Sequence, residues 1–220
     1  MYSIGEPWHQ YPSSITNMTA MPQLISQAYR DEQAALHRHH DDYGVASVTI
    51  APLVARIVQR MSPGTILDYG AGKQRLGPAL AALLETVPPI RSYEPAVPAL
   101  SSPPEPADLV VCLDVLEHVE PDCIEAVIED LARVARRHLL ASIASGPSRR
   151  TLDGGRNAHL IQEPPEWWLP KLWSRFRIRA LNELPGERFW VLAEPRAAAP
   201  TPATPHSPDH TGSPPRSAPA

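Results

Sequence analysis

Apolar positions along the chain recur with two periods. Leu24, Ala28, Ala35 and Leu36 give a patchy helical face with Asp31, Glu32 and Arg38 off it, which predicts a helix from Pro22 to about His40. Ile50, Leu53, Val54, Ile57, Val58 and Met61 keep the spacing more cleanly; Pro52 suits a first turn and Ser62-Pro63-Gly64 ends the run. The pattern returns at Leu76, Leu80, Leu83 and Leu84, with Pro78 in the opening turn, and at Ile124, Val127, Ile128, Leu131 and Ala135 behind Pro121. In that last helix Glu129 is placed to pair with Arg133, and Arg136 and Arg137 to close its carboxyl end. Short continuous apolar runs alternate with the helices: around Ile66-Leu67, from Ile90 to Glu94, from Leu109 to Leu113 and from Leu139 to Ala144. Such runs suit parallel strands buried on both faces. Two further strands, Arg175 to Leu181 and Arg188 to Ala193, flank Leu184-Pro185-Gly186-Glu187, a hairpin signal. The alternation predicts an α/β domain with a mostly parallel sheet flanked by helices.

Length and composition set the boundaries of that domain. The 220 residues suffice for one domain of ordinary size with tails. Residues 1–22 carry no period and read as an irregular arm; 23–195 hold the domain. From 196 to 220 the chain is rich in proline and nearly free of large apolar side chains, so it reads as a disordered tail; its P-x-x-P spacing also fits a docking segment for a proline-recognising module. A net charge of -4 and a pI of 6.1 give no global attraction to nucleic acid. Cys112 and Cys123 lack C-x-x-C spacing, no apolar run reaches membrane-spanning length, and the N-terminus does not look like a secretory signal. The expectation is a soluble, cytoplasmic protein.

Candidate chemistry centres on Thr65 to Gly77, TILDYGAGKQRLG: a strand, a turn carrying Gly70, Ala71 and Gly72, and a helix start near Leu76. This arrangement places a small ligand on backbone N–H groups at a helix N-terminus. A dinucleotide fingerprint needs a third glycine where Arg75 stands, and Asp68 at the strand end would repel a pyrophosphate. An ammonium or sulfonium would be attracted instead, by roughly 4 kcal/mol per pair at 4 Å before desolvation. The stretch resembles motif I of the class I S-adenosylmethionine-dependent methyltransferases, in which an acid precedes G-x-G. The third glycine of that family is Gln74 here.

Glu94 ends the next strand about 20 residues after the glycines, where an acid that binds ribose hydroxyls is expected. Between Pro95 and Asp108 there is room for only a stub of helix and strand. The third strand of the family, whose following acid contacts adenine in relatives, is missing or vestigial, and adenine recognition stays unassigned.

DLVVCLDVLEHVEP, from Asp108 to Pro121, is similar to the post-motif region of the same family. The resemblance implies that Leu113 and Asp114 lie beside the methionine part of the cofactor. It further implies a Rossmann-like sheet with an antiparallel last strand, a leading helix over the cofactor, and methyl transfer to an oxygen, nitrogen or carbon nucleophile by in-line displacement. The segment from His159 through Pro165-Glu166 and Trp167-Trp168 resembles the family's histidine followed by a helix. His118 and His159 are the candidate bases, needed only for a nucleophile that carries a proton; each also reads as a structural cap. Trp167, Trp168 and Trp173 read as core or substrate wall.

The loop from Ser145 to Asn157 leaves the carboxyl end of a strand and is long enough to be functional. Arg149, Arg150 and Arg156 bias it positively and point to a small-molecule acceptor bearing carboxylate or phosphate. His37, His39, His40, Asp41 and Asp42 invite a metal reading, but consecutive residues splay around a helix, so the cluster reads as a solvated helix end with no metal. Two other classes stay open: a methyltransferase-like scaffold without turnover, motivated by Gln74 and the missing strand, and a nicotinamide-dependent oxidoreductase, which Asp68 opposes.

Overall fold

The computed structural model of the chain describes residues 23–41 and 45–196. The expected N-terminal arm, the proline-rich tail and the Tyr43-Gly44 break lie outside these.

Six strands form one sheet in the order β2-β1-β3-β4-β6-β5. They are β1 (Ile66–Tyr69), β2 (Ile90–Tyr93), β3 (Ala107–Leu113), β4 (Ala135–Ala144), β5 (Phe176–Leu184) and β6 (Arg188–Pro195). The pairs β1/β2, β1/β3 and β3/β4 are parallel; β6 alone runs against its neighbours β4 and β5. This is the expected α/β, Rossmann-like sheet with an antiparallel last strand. Around it lie α1 (Gln27–His39), α2 (Ala46–Met61), α3 (Leu76–Ala81), α4 (Ile124–Val134) and α5 (Pro165–Arg175). Among the described residues no helix is long and apolar enough to cross a membrane.

The central strands β1 and β3 and the second half of β4 are buried on both faces, alternate residues pointing to opposite sides. Ile66, Leu109, Val111 and Leu140 pack with α2 and α3 on one face. Leu67, Val110, Cys112 and Leu139 pack with α4 and α5 on the other, where Trp168 is fully buried and its indole N–H donates to the Glu163 carbonyl at 3.0 Å. Trp168 is therefore core. Trp167 sits edge-on against it and Trp173 is exposed beneath Arg196, so none of the three walls the cavity described below.

Several elements depart from the sequence expectation. The first helix starts at Gln27, not Pro22, because the Ser26 side chain caps it by accepting from the Tyr29 N–H at 3.1 Å. Starting at Ala46, α2 places Pro52 in its interior, on the exposed side where the unpaired carbonyl can be hydrated. Only six residues long, α3 leaves Leu83 exposed. The fourth helix stops at Val134, so Arg136 and Arg137 belong to β4; Arg133 pairs with Asp130 at 2.7 Å, and Glu129 with Arg175 instead. Between β2 and β3 a single 3₁₀ turn, Pro98–Leu100, stands in place of the third strand and its helix, which leaves β2 at the sheet edge.

Candidate functional site

A cavity of about 880 Å³ opens at the carboxyl ends of β1, β2 and β3, the ligand-binding side of an open parallel sheet. Asp68, Gly70, Ala71, Gly72, Glu94, Leu113, Asp114, His118, Arg149, Arg150 and His159 all line it. Of the candidate cofactor, acceptor and catalytic residues only Arg156 stays away. It reaches across to Glu32 of α1, with Nη2 2.8 Å from Oε2, and fastens the helix rather than the cavity mouth.

Asp68 is 4% exposed at the end of β1, and burial with the nearby Glu94 charge pushes its carboxyl up to about 7. Such a group gains from a cation brought beside it. Glu94 is held by two backbone donors: Gly72 N–H to Oε2 and Ala96 N–H to Oε1, both at 3.1 Å. Burial raises its carboxyl too, against those two bonds.

The glycine loop serves the site differently from the expectation. Gly70 and Ala71 both donate their N–H groups to the Tyr93 carbonyl, at 2.8 and 2.9 Å, and Gly72 donates to Glu94. These N–H groups are spent on the end of β2 and do not cradle a phosphate. Loss of the anion cradle, together with the buried acid, opposes the dinucleotide reading and fits a cationic ligand. Gln74 holds φ 55°, a left-handed conformation that a glycine would adopt without strain. Lys73 and Arg75 reach the carboxyl end of α1, donating to the His37 carbonyl at 2.6 Å and the Asp41 carbonyl at 3.1 Å.

That contact carries a correction. His37 is no solvated helix-end residue: its side chain is only 12% exposed, Nε2 lies 3.9 Å from Glu94 Oε2, and burial lowers its basicity to about 4. Its spacing of one helical turn from Gln33 and two from Tyr29, both cavity residues, was the signal that could have found it. Among the described residues no cluster has the side chains to hold a metal.

Asp114 follows β3 with φ 53°; its Oδ1 accepts from the Ser142 hydroxyl at 2.6 Å and its Oδ2 lies 3.4 Å from Arg188 Nη2. The acid thus ties β3 to β4 and to the β5–β6 hairpin. Glu117, fully buried, accepts the Ala144 N–H at 2.9 Å where the long loop begins, and burial beside Asp114 drives its carboxyl well above the usual range.

His118 and His159 stand edge to face, ring centroids 4.7 Å apart. Nδ1 of His118 lies 2.7 Å from the Ala158 carbonyl, and Nδ1 of His159 lies 2.7 Å from the Gly146 carbonyl. A carbonyl only accepts, so both Nδ1 atoms carry a proton, which leaves Nε2 as the atom of each ring through which a further proton is gained or lost. Burial and the neighbouring His159 lower His118 to about 3. Asn157, which no sequence signal marks, sets the loop: its Oδ1 accepts from the N–H groups of Ser148 and His159, both at 2.9 Å.

No protein-family profile matches the chain, and no curated protein does. Solved structures do match in shape. One is the 1,6-didemethyltoxoflavin-N1-methyltransferase of Burkholderia thailandensis, with 1,6-didemethyltoxoflavin and S-adenosylhomocysteine bound (TM-score 0.56, 16% identity, 77% of this chain and 88% of that one). A second is the mitomycin 7-O-methyltransferase MmcR (TM-score 0.56, 14% identity, 74% of this chain and 60% of that one). A third is the magnesium protoporphyrin IX methyltransferase of Synechocystis PCC 6803 with S-adenosylhomocysteine bound (TM-score 0.50, 16% identity, 77% and 97%). The chain has the fold of the class I S-adenosylmethionine-dependent methyltransferases.

Proposed function

We propose that the protein transfers a methyl group from S-adenosylmethionine to a small-molecule acceptor bearing an anionic group. One observation carries the reading: a single cavity is lined both by two buried carboxyls, Asp68 and Glu94, and by Arg149, Arg150 and His159. When bound, the cofactor supplies a methyl group on a sulfonium, already a good leaving group. Asp68 would hold the ammonium of its amino-acid end, Glu94 the ribose hydroxyls, and Leu113 and Asp114 the methionine chain. Arg149 and Arg150 attract and orient the acceptor's carboxylate or phosphate at the mouth. Alignment of nucleophile and methyl accounts for most of the acceleration, up to roughly 7–11 kcal/mol by proximity.

For a nucleophile that carries a proton, His159 takes it at Nε2, while its Nδ1–H stays on the Gly146 carbonyl. His118 is a weak base, since burial keeps its neutral imidazole from taking a second proton until about pH 3. Its part is to pack against the ring of His159 and fix it. Both cysteines are buried free thiols, in keeping with a reducing cytoplasm.

Incubating the chain with methyl-labelled S-adenosylmethionine and fractionated cell extract tests the proposal: label should pass to an anionic small molecule. A second reading, a scaffold without turnover, draws on the unrelieved left-handed Gln74. It predicts that neither S-adenosylmethionine nor S-adenosylhomocysteine binds.

A further inference from the structure

The purine of the cofactor has no wall of the usual kind here, since one 3₁₀ turn replaces the third strand and the acid that would follow it. On the reading above, ribose at Glu94 fixes where the base begins, because the base leaves C1′ of the same sugar. The cavity lining offers it two unlike sets of side chains. One is charged, with Arg149, Arg150, Glu187 and Arg188. The other is apolar, with Leu24, Tyr93, Val115, Val119 and Val127, which share one packed cluster. A flat neutral ring system gains by burial against the apolar set and loses solvation beside the charged one.

That apolar set is completed by the segment leading into α1. Ser26 donates its N–H to Glu120 Oε2 at 2.7 Å, and Tyr29 donates its hydroxyl to the His118 carbonyl at 2.6 Å. These two bonds, spanning 94 and 89 positions of sequence, draw the lead-in across to the segment after β3. Leu24 thereby packs on the same apolar cluster as Tyr93, Val115, Val119 and Val127. Glu120 follows Val119 in the cavity lining, and among the described residues no hydrogen bond or ion pair reaches its Oε1.

We infer that this chain recognises adenine with its own substitute wall: the ring between Leu24 of the lead-in and Tyr93, Val115 and Val119, and the exocyclic amine donating to Glu120 Oε1. The inference rests on the cofactor reading and goes beyond it in naming the residues that choose the base. It assigns specificity to a segment outside the parallel sheet.

Titration calorimetry on the full chain with S-adenosylhomocysteine and with S-inosylhomocysteine tests it. The second ligand differs in carrying a carbonyl oxygen where adenine has its amine. The native chain should prefer the adenine ligand by about tenfold or more, because two acceptors would otherwise face each other across a half-buried contact. Glu120→Gln can still accept the Ser26 N–H and can turn its amide N–H to the ligand, so it should tighten the inosine ligand and erase or reverse the preference. A Glu120 that only holds Ser26 would weaken both ligands alike on substitution; that result, or equal native affinities, overturns the inference and leaves the methyl-transfer reading standing. A native chain that binds neither ligand contradicts the methyl-transfer reading itself and the inference with it.

Discussion

Val115 occupies the space beside Gly70 where a side chain would go: a β-carbon on Gly70 would come within 2.4 Å of Val115 Cγ2. Gly70 also holds φ 77°, so two constraints coincide at the first glycine of the cofactor loop. Gly70→Ala should lower the melting temperature, with strain on the order of 1–3 kcal/mol added to the steric conflict. Adding Val115→Ala should recover the steric part and not the backbone part. Full recovery in the double variant would show that φ contributes nothing; no recovery would show that the two residues do not touch.

Stability and binding are expected to oppose each other at Asp68. Its carboxyl titrates near 7 in the folded chain and near 3.9 in an unfolded one. The folded state therefore keeps the proton longer, and stability of the unliganded chain falls as pH rises from about 4 to about 7, by a few kcal/mol in order of magnitude. Buried Glu94 and Glu117 act in the same direction. Thermal unfolding of Asp68→Asn across this range should show a flatter profile and a higher midpoint than the native chain at about pH 8. An unchanged profile would mean that Asp68 is already ionised and solvated.

The three arginines of the long loop should separate kinetically. Arg149→Ala with Arg150→Ala should raise the acceptor's KM strongly and leave cofactor affinity nearly intact, since both line the cavity mouth. Arg156→Ala should leave KM alone and cost less than about 1 kcal/mol of stability, because its pairing with Glu32 is largely exposed. A KM effect from Arg156 alone would move it into the site.

His159→Ala should lower kcat by roughly 10²–10⁴ if the nucleophile arrives protonated. The pH profile decides between roles: loss of the acidic limb of kcat identifies a base. A lower melting temperature with an unchanged profile identifies a structural cap.

Much of this architecture is legible in the sequence, for a physical reason. Ile66-Leu67 and Leu109 to Leu113 are buried on both faces, so their strands read as continuous apolar runs that end on Asp68 and Asp114. The cofactor-side positions follow from strand ends and need no knowledge of packing. What stays hidden depends on where distant segments meet. Nothing local says that Arg156 crosses to Glu32 or that Asn157 takes two backbone donors. Nothing local says that the loop's N–H groups turn back to Tyr93 either. His37 is hidden in the sequence by its exposed neighbours Arg38 and His39, while the helix turns His37 itself against Glu94.

The central claim is that two buried carboxyls receive the cationic cofactor, and titration calorimetry with S-adenosylmethionine on the native chain and on Asp68→Asn tests it most directly. The account predicts saturable binding by the native chain near neutral pH, weakened at least about tenfold, near 1.4 kcal/mol, by the substitution. A native chain that does not bind, or an Asp68→Asn chain that binds equally well, would contradict it.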